Sequence, residues 1–377
     1  MSIRIRAIMA EWPLDSGIQH AKTRYVRAVH RKKFDTALDI ALVKPNQFPA
    51  LIIAIDNNCV ELAETLMNLG WDVNEKRGVD GATPLHAAVF TRSEALLKSL
   101  LNRGAVPGKR DGNGDTALAR SMAYHQDGVA RRLTETLISV TPARELQGRN
   151  EHGETILFAM AKNVSVPLPY YRYMLNKGID VNVQDIYAGR NFIMELVMAQ
   201  GAEDRVIRVT EMAMSKGLDI NHTDHFGNSL LHRAASEEYR GLIQWLIEKG
   251  ARIGDKNATG QTAAWIAAKR GNRRILECLY GAGEELSERG RVFPHGATRS
   301  VMEIARHGGH HGLARSISKE LGEEWTEQGQ RIIPTLQRLA KITVRRALTA
   351  DGTCIRRKLT EIECPRSLRE FLVTMES

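Results

Sequence analysis

The chain has 377 residues, 43% of them hydrophobic and 6% aromatic, and 53 Lys and Arg against 44 Asp and Glu give a formal net charge of +9. The longest uncharged apolar run, Phe48 to Ile55, is far shorter than the roughly 20 residues a bilayer-spanning helix needs, so no membrane partner is expected. Four cysteines (Cys59, Cys278, Cys354, Cys364) without C-x-x-C spacing exclude a disulfide framework and a zinc knuckle.

The excess charge sits at the ends. Residues 1–44 hold 9 Lys/Arg against 4 Asp/Glu, and residues 334–377 hold 9 against 5, leaving the middle neutral. A nucleic-acid platform would carry a basic stripe along its binding surface, so acidic protein surfaces are the expected partners and nucleic acid is not. The basic start Met1-Ser2-Ile3-Arg4-Ile5-Arg6 is followed by Glu11, Pro13 and Asp15, which interrupt any apolar signal core, and a cytoplasmic or nuclear site is expected.

In chain order, residues 1–44 read as an N-terminal helical cap. Tyr25, Val26, Ala28, Val29, Phe34, Ala37, Leu38, Ile40 and Ala41 have helical apolar spacing, with Arg31-Lys32-Lys33 at the turn. Residues 45–320 then carry a repeated pattern. Its clearest copy is Asp80-Gly81-Ala82-Thr83-Pro84-Leu85-His86-Ala87-Ala88, echoed at Ser229-Leu230-Leu231-His232-Arg233-Ala234-Ala235. This cassette resembles the ankyrin repeat, which uses about 33 residues for a finger-like turn and two antiparallel helices. With the Thr position as reference, copies begin at Pro49, Thr83, Thr116, Thr155, Asn191, Ser229, Thr262 and Ser300, about eight in all. Second helices close on Gly, as at Gly104 and Gly250, where the missing Cβ permits the left-handed conformation that ends a helix. Extra residues are expected in loops such as Lys162 to Pro169 and Glu284 to Thr298.

Two chemical readings of the histidines compete with a structural one. His86 and His232 fill the repeat's own Thr-Pro-Leu-His slot, where the ring is expected to hydrogen-bond between turns rather than act as a base. Gly309-His310 falls in the Gly-His slot opening a second helix, which argues against a metal site at His307, His310 and His311. The run Gly108-Lys109-Arg110-Asp111-Gly112-Asn113-Gly114 lacks the Gly-Lys-Ser/Thr ending of a phosphate loop and reads as a finger turn. No catalytic residues, metal ligands or cofactors are expected.

Residues 321–333 read as a connector. From Pro334, Leu336, Leu339, Ala340, Val344, Ala347 and Leu348 form one helical face; Asp351-Gly352 breaks it, and Pro365 opens a short helix carrying Leu368, Phe371 and Leu372. Thr335 to Val344 followed by Ile362 to Leu372 is similar to the SOCS box, and its position after the repeats resembles the ankyrin-repeat and SOCS-box family. The expected fold is thus an all-α ankyrin-repeat solenoid followed by a small helical SOCS-box-like module at 334–377. The resemblance implies a non-catalytic substrate receptor of a ubiquitin ligase. Leu336, Leu339, Ala340 and Val344 would meet elongin C, bound to elongin B, and Ile362, Pro365 and Leu368 would meet a cullin scaffold. The chain departs from the pattern at Ala340, where the family usually has Cys, and at Ile362-Glu363-Cys364-Pro365, which keeps one Pro of Leu-Pro-x-Pro.

A protein substrate is expected on the finger tips, with Arg77, Tyr187, Phe226 and Lys256 as contact residues, because exposed aromatics and Arg are common anchors. A plain ankyrin scaffold with no tie to ubiquitination is the alternative, and the remaining structural reading of residues 334–377 is a cap on the end of the array.

Overall fold

The computed structural model describes residues 16–31, 33–43, 49–78, 80–124, 127–286, 289–291, 298–321, 324–325 and 331–332. The expected module at 334–377, and with it Leu336, Leu339, Ala340, Val344, Ile362, Pro365 and Leu368, lies outside the described residues. The chain divides into two compact units, Met1–Tyr187 and Ala188–Ser377.

In the first unit, antiparallel helices follow in pairs: α1 (Ser16–His30) and α2 (Phe34–Val43), α3 (Ala50–Asp56) and α4 (Val60–Asn68), α5 (Pro84–Phe90) and α6 (Glu94–Asn102), and α7 (Ala117–Ala123) and α8 (Gly128–Val140). A single turn, α9 (Ala143–Leu146), precedes the last pair, α10 (Ile156–Ala161) and α11 (Leu168–Asn176). The second unit holds α12 (Phe192–Met198) and α13 (Glu203–Met214), α14 (Leu230–Ser236) and α15 (Arg240–Glu248), α16 (Ala263–Arg270) and α17 (Arg273–Gly281), and α18 (Val301–His307) and α19 (His311–Leu321). Between the last two pairs β1 (Arg289–Arg291) runs antiparallel to β2 (Thr298–Ser300), and β3 (Glu324–Trp325) pairs with β4 (Arg331–Ile332) after α19.

Seven residues barely nucleate a helix alone, so the first helices are held by capping and stacking. Each of the eight reference positions of the sequence pattern is an N-cap: Pro49, Thr83, Thr116, Thr155, Asn191, Ser229, Thr262 and Ser300. Thr116, Asn191, Thr262 and Ser300 accept the N–H three residues on, satisfying a donor the helix cannot use internally. First helices stack on first helices, α3 on α5 on α7 on α10 in one unit and α12 on α14 on α16 on α18 in the other. Small buried residues such as Ala88, Ala234, Ala264 and Ala268 allow this close approach, while Leu62, Leu66, Leu97, Leu100, Leu242 and Leu246 bring the second helices against them.

Extra residues enter where a helix or loop can lengthen without disturbing that stack. The segment between α10 and α11 spans residues 162–167, in the loop expected from sequence, and residues 289–300 hold the β1–β2 pair. The longer spacing between Thr116 and Thr155 has another source: α8 reaches 13 residues, and α9 is added before the finger.

In six of the pairs the turn between the helices places one residue in the left-handed region. That residue is Asn58, Arg92, Gln200 and Glu238 in four pairs and Gly271 and Gly309 in two others. A Cβ in this conformation costs about 1–2 kcal/mol, partly offset by the backbone entropy a glycine loses on folding. Gln200→Gly, at φ 55°, is therefore expected to stabilise the protein by about 0.5–1 kcal/mol, read as a higher urea midpoint with unchanged slope.

Candidate functional site: the finger turns and the face beside them

The fingers are built on one device. Asp111, Asn150, Asp185, Asp224 and Asn257 each accept the backbone N–H two residues on, at 2.9, 2.9, 3.0, 2.9 and 3.0 Å, folding the chain into an Asx turn. Tips are then tied to their neighbours through the backbone. In the first unit Gly112 N–H donates to Asp80 C=O, Glu151 to Asn113 (2.9 Å) and Ile186 to His152 (3.0 Å); in the second, His225 donates to Ala188 (2.7 Å) and Ala258 to Phe226 (2.8 Å). Side chains at these tips stand on a cross-braced ladder, so a partner need not order the loops that contact it.

Tyr187 is 69% exposed and Phe226 58% exposed, and Lys256 is also exposed, as expected of finger residues. Phe226 and Lys256 stand on neighbouring fingers of the second unit, joined by the Ala258–Phe226 bond. The Tyr187 ring lies against His152, with centroids 5.4 Å apart and the phenol 3.4 Å from Nδ1.

Arg77 corrects the sequence reading. Only 4% exposed, it does not project from its finger. Its Nε donates to Asp80 at 2.7 Å, one Nη donates to Asp56 at 2.5 Å, and the other Nη donates to Asp80. The guanidinium fastens the finger to the end of α3, and these bonds leave it inside the repeat. Asp80 shows the coupling: burial pushes its carboxyl up, but the hydrogen bonds and charge of Arg77 outweigh that and hold it below its ordinary value.

Three exposed side chains escaped the sequence reading. Ile186, 58% exposed, follows Asp185 in a finger one residue longer than its neighbours, seven residues from Asp185 to the cap Asn191 against six from Asp224 to Ser229. Phe90 and Tyr124, at the ends of α5 and α7, are 45% and 42% exposed and meet edge to face with centroids 6.4 Å apart. Their signal was positional: they come seven and eight residues after the caps Thr83 and Thr116, beyond the buried turn of the helix. A separate cleft of about 240 Å³ runs along α7 and α10, lined by Arg110, Arg120, Glu145, Glu154 and Lys162 among others. Its charges are largely matched internally, Arg120 with Asp111 at 2.7 Å and Lys162 with Glu154 at 2.5 Å.

The two slot histidines are structural. His86 Nε2 lies 3.0 Å from the Asp115 carbonyl, which can only accept, so that nitrogen carries the proton; Nδ1 accepts the Thr83 N–H at 3.3 Å. His232 repeats this with Gln261 at 2.9 Å and Ser229 at 3.1 Å. Burial, the larger effect, pulls both imidazoles below their usual range against the opposing carbonyl bonds. With both nitrogens occupied, neither ring is placed to shuttle a proton. Among the described residues no group of three or more His, Cys, Asp or Glu is placed to hold a metal ion, and no helix is long and apolar enough to cross a membrane.

The family model for ankyrin repeats matches in three copies, over residues 26–111, 51–143 and 193–289, more than half of the chain. The chain belongs to the ankyrin-repeat family. Repeats of this kind are protein–protein interaction modules, in keeping with the exposed, braced fingers.

The chain is 25% identical over 254 residues to the B-cell lymphoma 3 protein homolog of Mus musculus, covering 67% of this chain and 54% of that protein. It is 27% identical over 199 residues to the human B-cell lymphoma 3 protein, covering 53% and 41%. An I-Kappa-B like protein G1 from Microplitis demolitor bracovirus is 30% identical over 132 residues, 34% of this chain and 74% of that one. The chain thus spans about half the length of the B-cell lymphoma 3 relatives it matches. Solved ankyrin domains of Bcl-3 and human ASB11 superpose with TM-scores of 0.49 each, at 24% and 19% identity, over 61% and 62% of this chain and 97% of each domain.

Proposed function

We propose that this ankyrin-repeat protein is a non-catalytic adaptor that holds a target protein on its repeats and presents it to a ubiquitin ligase through its C-terminal segment. The observation that carries the target-binding half is the backbone-braced Asx turns within each unit, with exposed Tyr187 in the first and exposed Phe226 in the second. Aromatic anchors on rigid turns lose little entropy when they are covered. The ligase half rests on the sequence order in residues 334–377: a helix face through Leu336, Leu339, Ala340 and Val344, a Gly break, then Pro365 and Leu368. Elongin C with elongin B would take the first element and a cullin the second. The adaptor itself performs no chemistry; tethering raises the local concentration of target beside a separate ubiquitin-transferring enzyme.

Specific features also favour a second reading, a protein scaffold without a ligase. Ala340 removes a sulfur the resemblance expects at the elongin contact, and Ile362-Glu363-Cys364-Pro365 lacks one of the two motif prolines.

Binding of the full chain to purified elongin B and C, beside Leu336→Asp, separates the two. The adaptor reading expects submicromolar binding that the substitution abolishes, since a carboxylate would be buried in an apolar pocket without a partner. Absence of binding at micromolar concentrations in the wild type would leave the scaffold.

A further inference from the structure

The cleft along α7 and α10 holds two polar groups that the fold leaves without a partner. The longer spacing between Thr116 and Thr155 inserts α9, and α9 brings Glu145 to the cleft wall. The Glu145 carboxylate occupies the space that a Cβ on Gly108 would fill, and its buried Oε2 accepts no hydrogen bond among the described residues. The second group is the hydroxyl of Thr155, the cap of α10. Thr155 is 4% exposed and lines the same cleft, yet its Oγ1 makes no hydrogen bond. Its counterparts Thr116, Asn191 and Thr262 each accept the N–H three residues on. A buried acceptor without a donor carries its full desolvation cost, so two in one cleft mark a place that a donor would complete.

The cations already present are committed elsewhere. Arg120 meets Asp111 at 2.7 Å and Asp115 at 3.4 Å, and Lys162 meets Glu154 at 2.5 Å. Arg110 donates through one Nη to the carbonyls of Gly114 and Arg149, and its other Nη lies over Gly148. With Asp111 counted through its bond to Arg120, the carboxylates of Asp111, Asp115, Glu145 and Glu154 outnumber the cations Arg110, Arg120 and Lys162 by one. The cleft is short of one positive charge.

We propose that this cleft is a docking pocket for a single lysine or arginine side chain of a protein partner. The proposal rests on the protein-binding reading of the repeats and supplies the chemistry of one contact. A cationic donor would give Glu145 a charge-assisted bond, and the Thr155 hydroxyl can accept a second N–H. An anion fits poorly, since the cations it needs are engaged and Glu145 would repel it. A metal ion fits no better, because no three His, Cys, Asp or Glu among the described residues are placed to hold one. The volume of about 240 Å³ admits one long side chain. Bracing of the finger walls through the Glu151–Asn113 bond at 2.9 Å keeps the pocket formed before a partner arrives.

The test follows TROSY spectra of the isotopically labelled full chain during titration with the capped peptide Gly-Gly-Lys-Gly-Gly and its Arg and Gln counterparts. The amides of Gly108, Gly148 and Glu154 are expected to shift saturably with the Lys or the Arg peptide and not with the Gln peptide. Glu145→Gln, which keeps the shape of the side chain, should weaken binding at least about tenfold, and Thr155→Val about threefold. Glu211→Gln, the same charge change at an exposed position of the second unit, should alter it less than about twofold. Equal shifts with the Gln peptide, undiminished binding by Glu145→Gln, or no saturable shift at millimolar peptide would each overturn the pocket. Its failure leaves the target-binding reading, which stands on Tyr187 and Phe226, untouched. Elongin binding, which depends on Leu336, is measured separately on the same variants.

Discussion

Gly114→Ala is expected to destabilise the protein by about 3–5 kcal/mol, whereas Gly104→Ala should cost only about 1–2 kcal/mol. Both glycines have positive φ, 76° and 86°, so both substitutions incur the penalty of a Cβ in the left-handed region. Space separates them. A Cβ on Gly104 meets nothing within 4 Å, but one on Gly114 would lie 2.7 Å from the backbone nitrogen of Glu151 and 2.9 Å from the Asn150 Cα. Backbone cannot rotate aside as a side chain can, and this backbone is pinned, since Glu151 N–H donates to Asn113 and Gly114 N–H to Asp111 at 3.0 Å. The new methyl group must push two fingers apart and break the bond between them. Urea denaturation of the two variants, followed by circular dichroism, checks the difference. Equal losses would show that conformation alone is at stake and that the close approach of the fingers carries no weight.

That contrast also marks what could be read from the sequence. Helix starts were legible because an N-cap is a local requirement, met by Thr, Ser or Asn accepting a free N–H at most of the eight positions, while Pro49 and Thr155, whose side chains cap nothing, were placed by the repeat count alone. Finger tips were legible only in part, because their exposure depends on the count back from the cap. Phe226 lies three residues before Ser229, and Tyr187 lies four before Asn191 in the finger with the additional residue. Arg77 and Lys256 lie six before Thr83 and Thr262, at the base of the finger; the first is buried and the second exposed. Arg77 is drawn in by Asp56, a pairing that joins residues 21 apart and is invisible to a count along the finger.

Arg77→Ala is the second large loss expected, about 3 kcal/mol. Replacing a charge that is 4% exposed and bonded to two carboxylates removes more than an attraction, because Asp56, 17% exposed, stays in a site shaped for its cation. Arg103→Ala, which breaks a pair whose partners are each 33% exposed, should cost under about 1 kcal/mol. Asp56→Asn/Asp80→Asn placed in the Arg77→Ala background is expected to recover part of the loss, since it removes the stranded negative charge. The pH dependence follows from Asp80, whose carboxyl Arg77 holds below its unfolded value. A depressed carboxyl contributes stability that is complete above the unfolded pKa of about 4 and is lost as pH falls through the folded value. The gap in urea midpoint between wild type and Arg77→Ala should therefore be constant from neutral pH down to about 4 and narrow below it. A gap that stayed constant through that acid range would mean that Arg77 acts by packing its stem, not by its charge. In that case the Asp56→Asn/Asp80→Asn change would recover nothing, so the two measurements check each other.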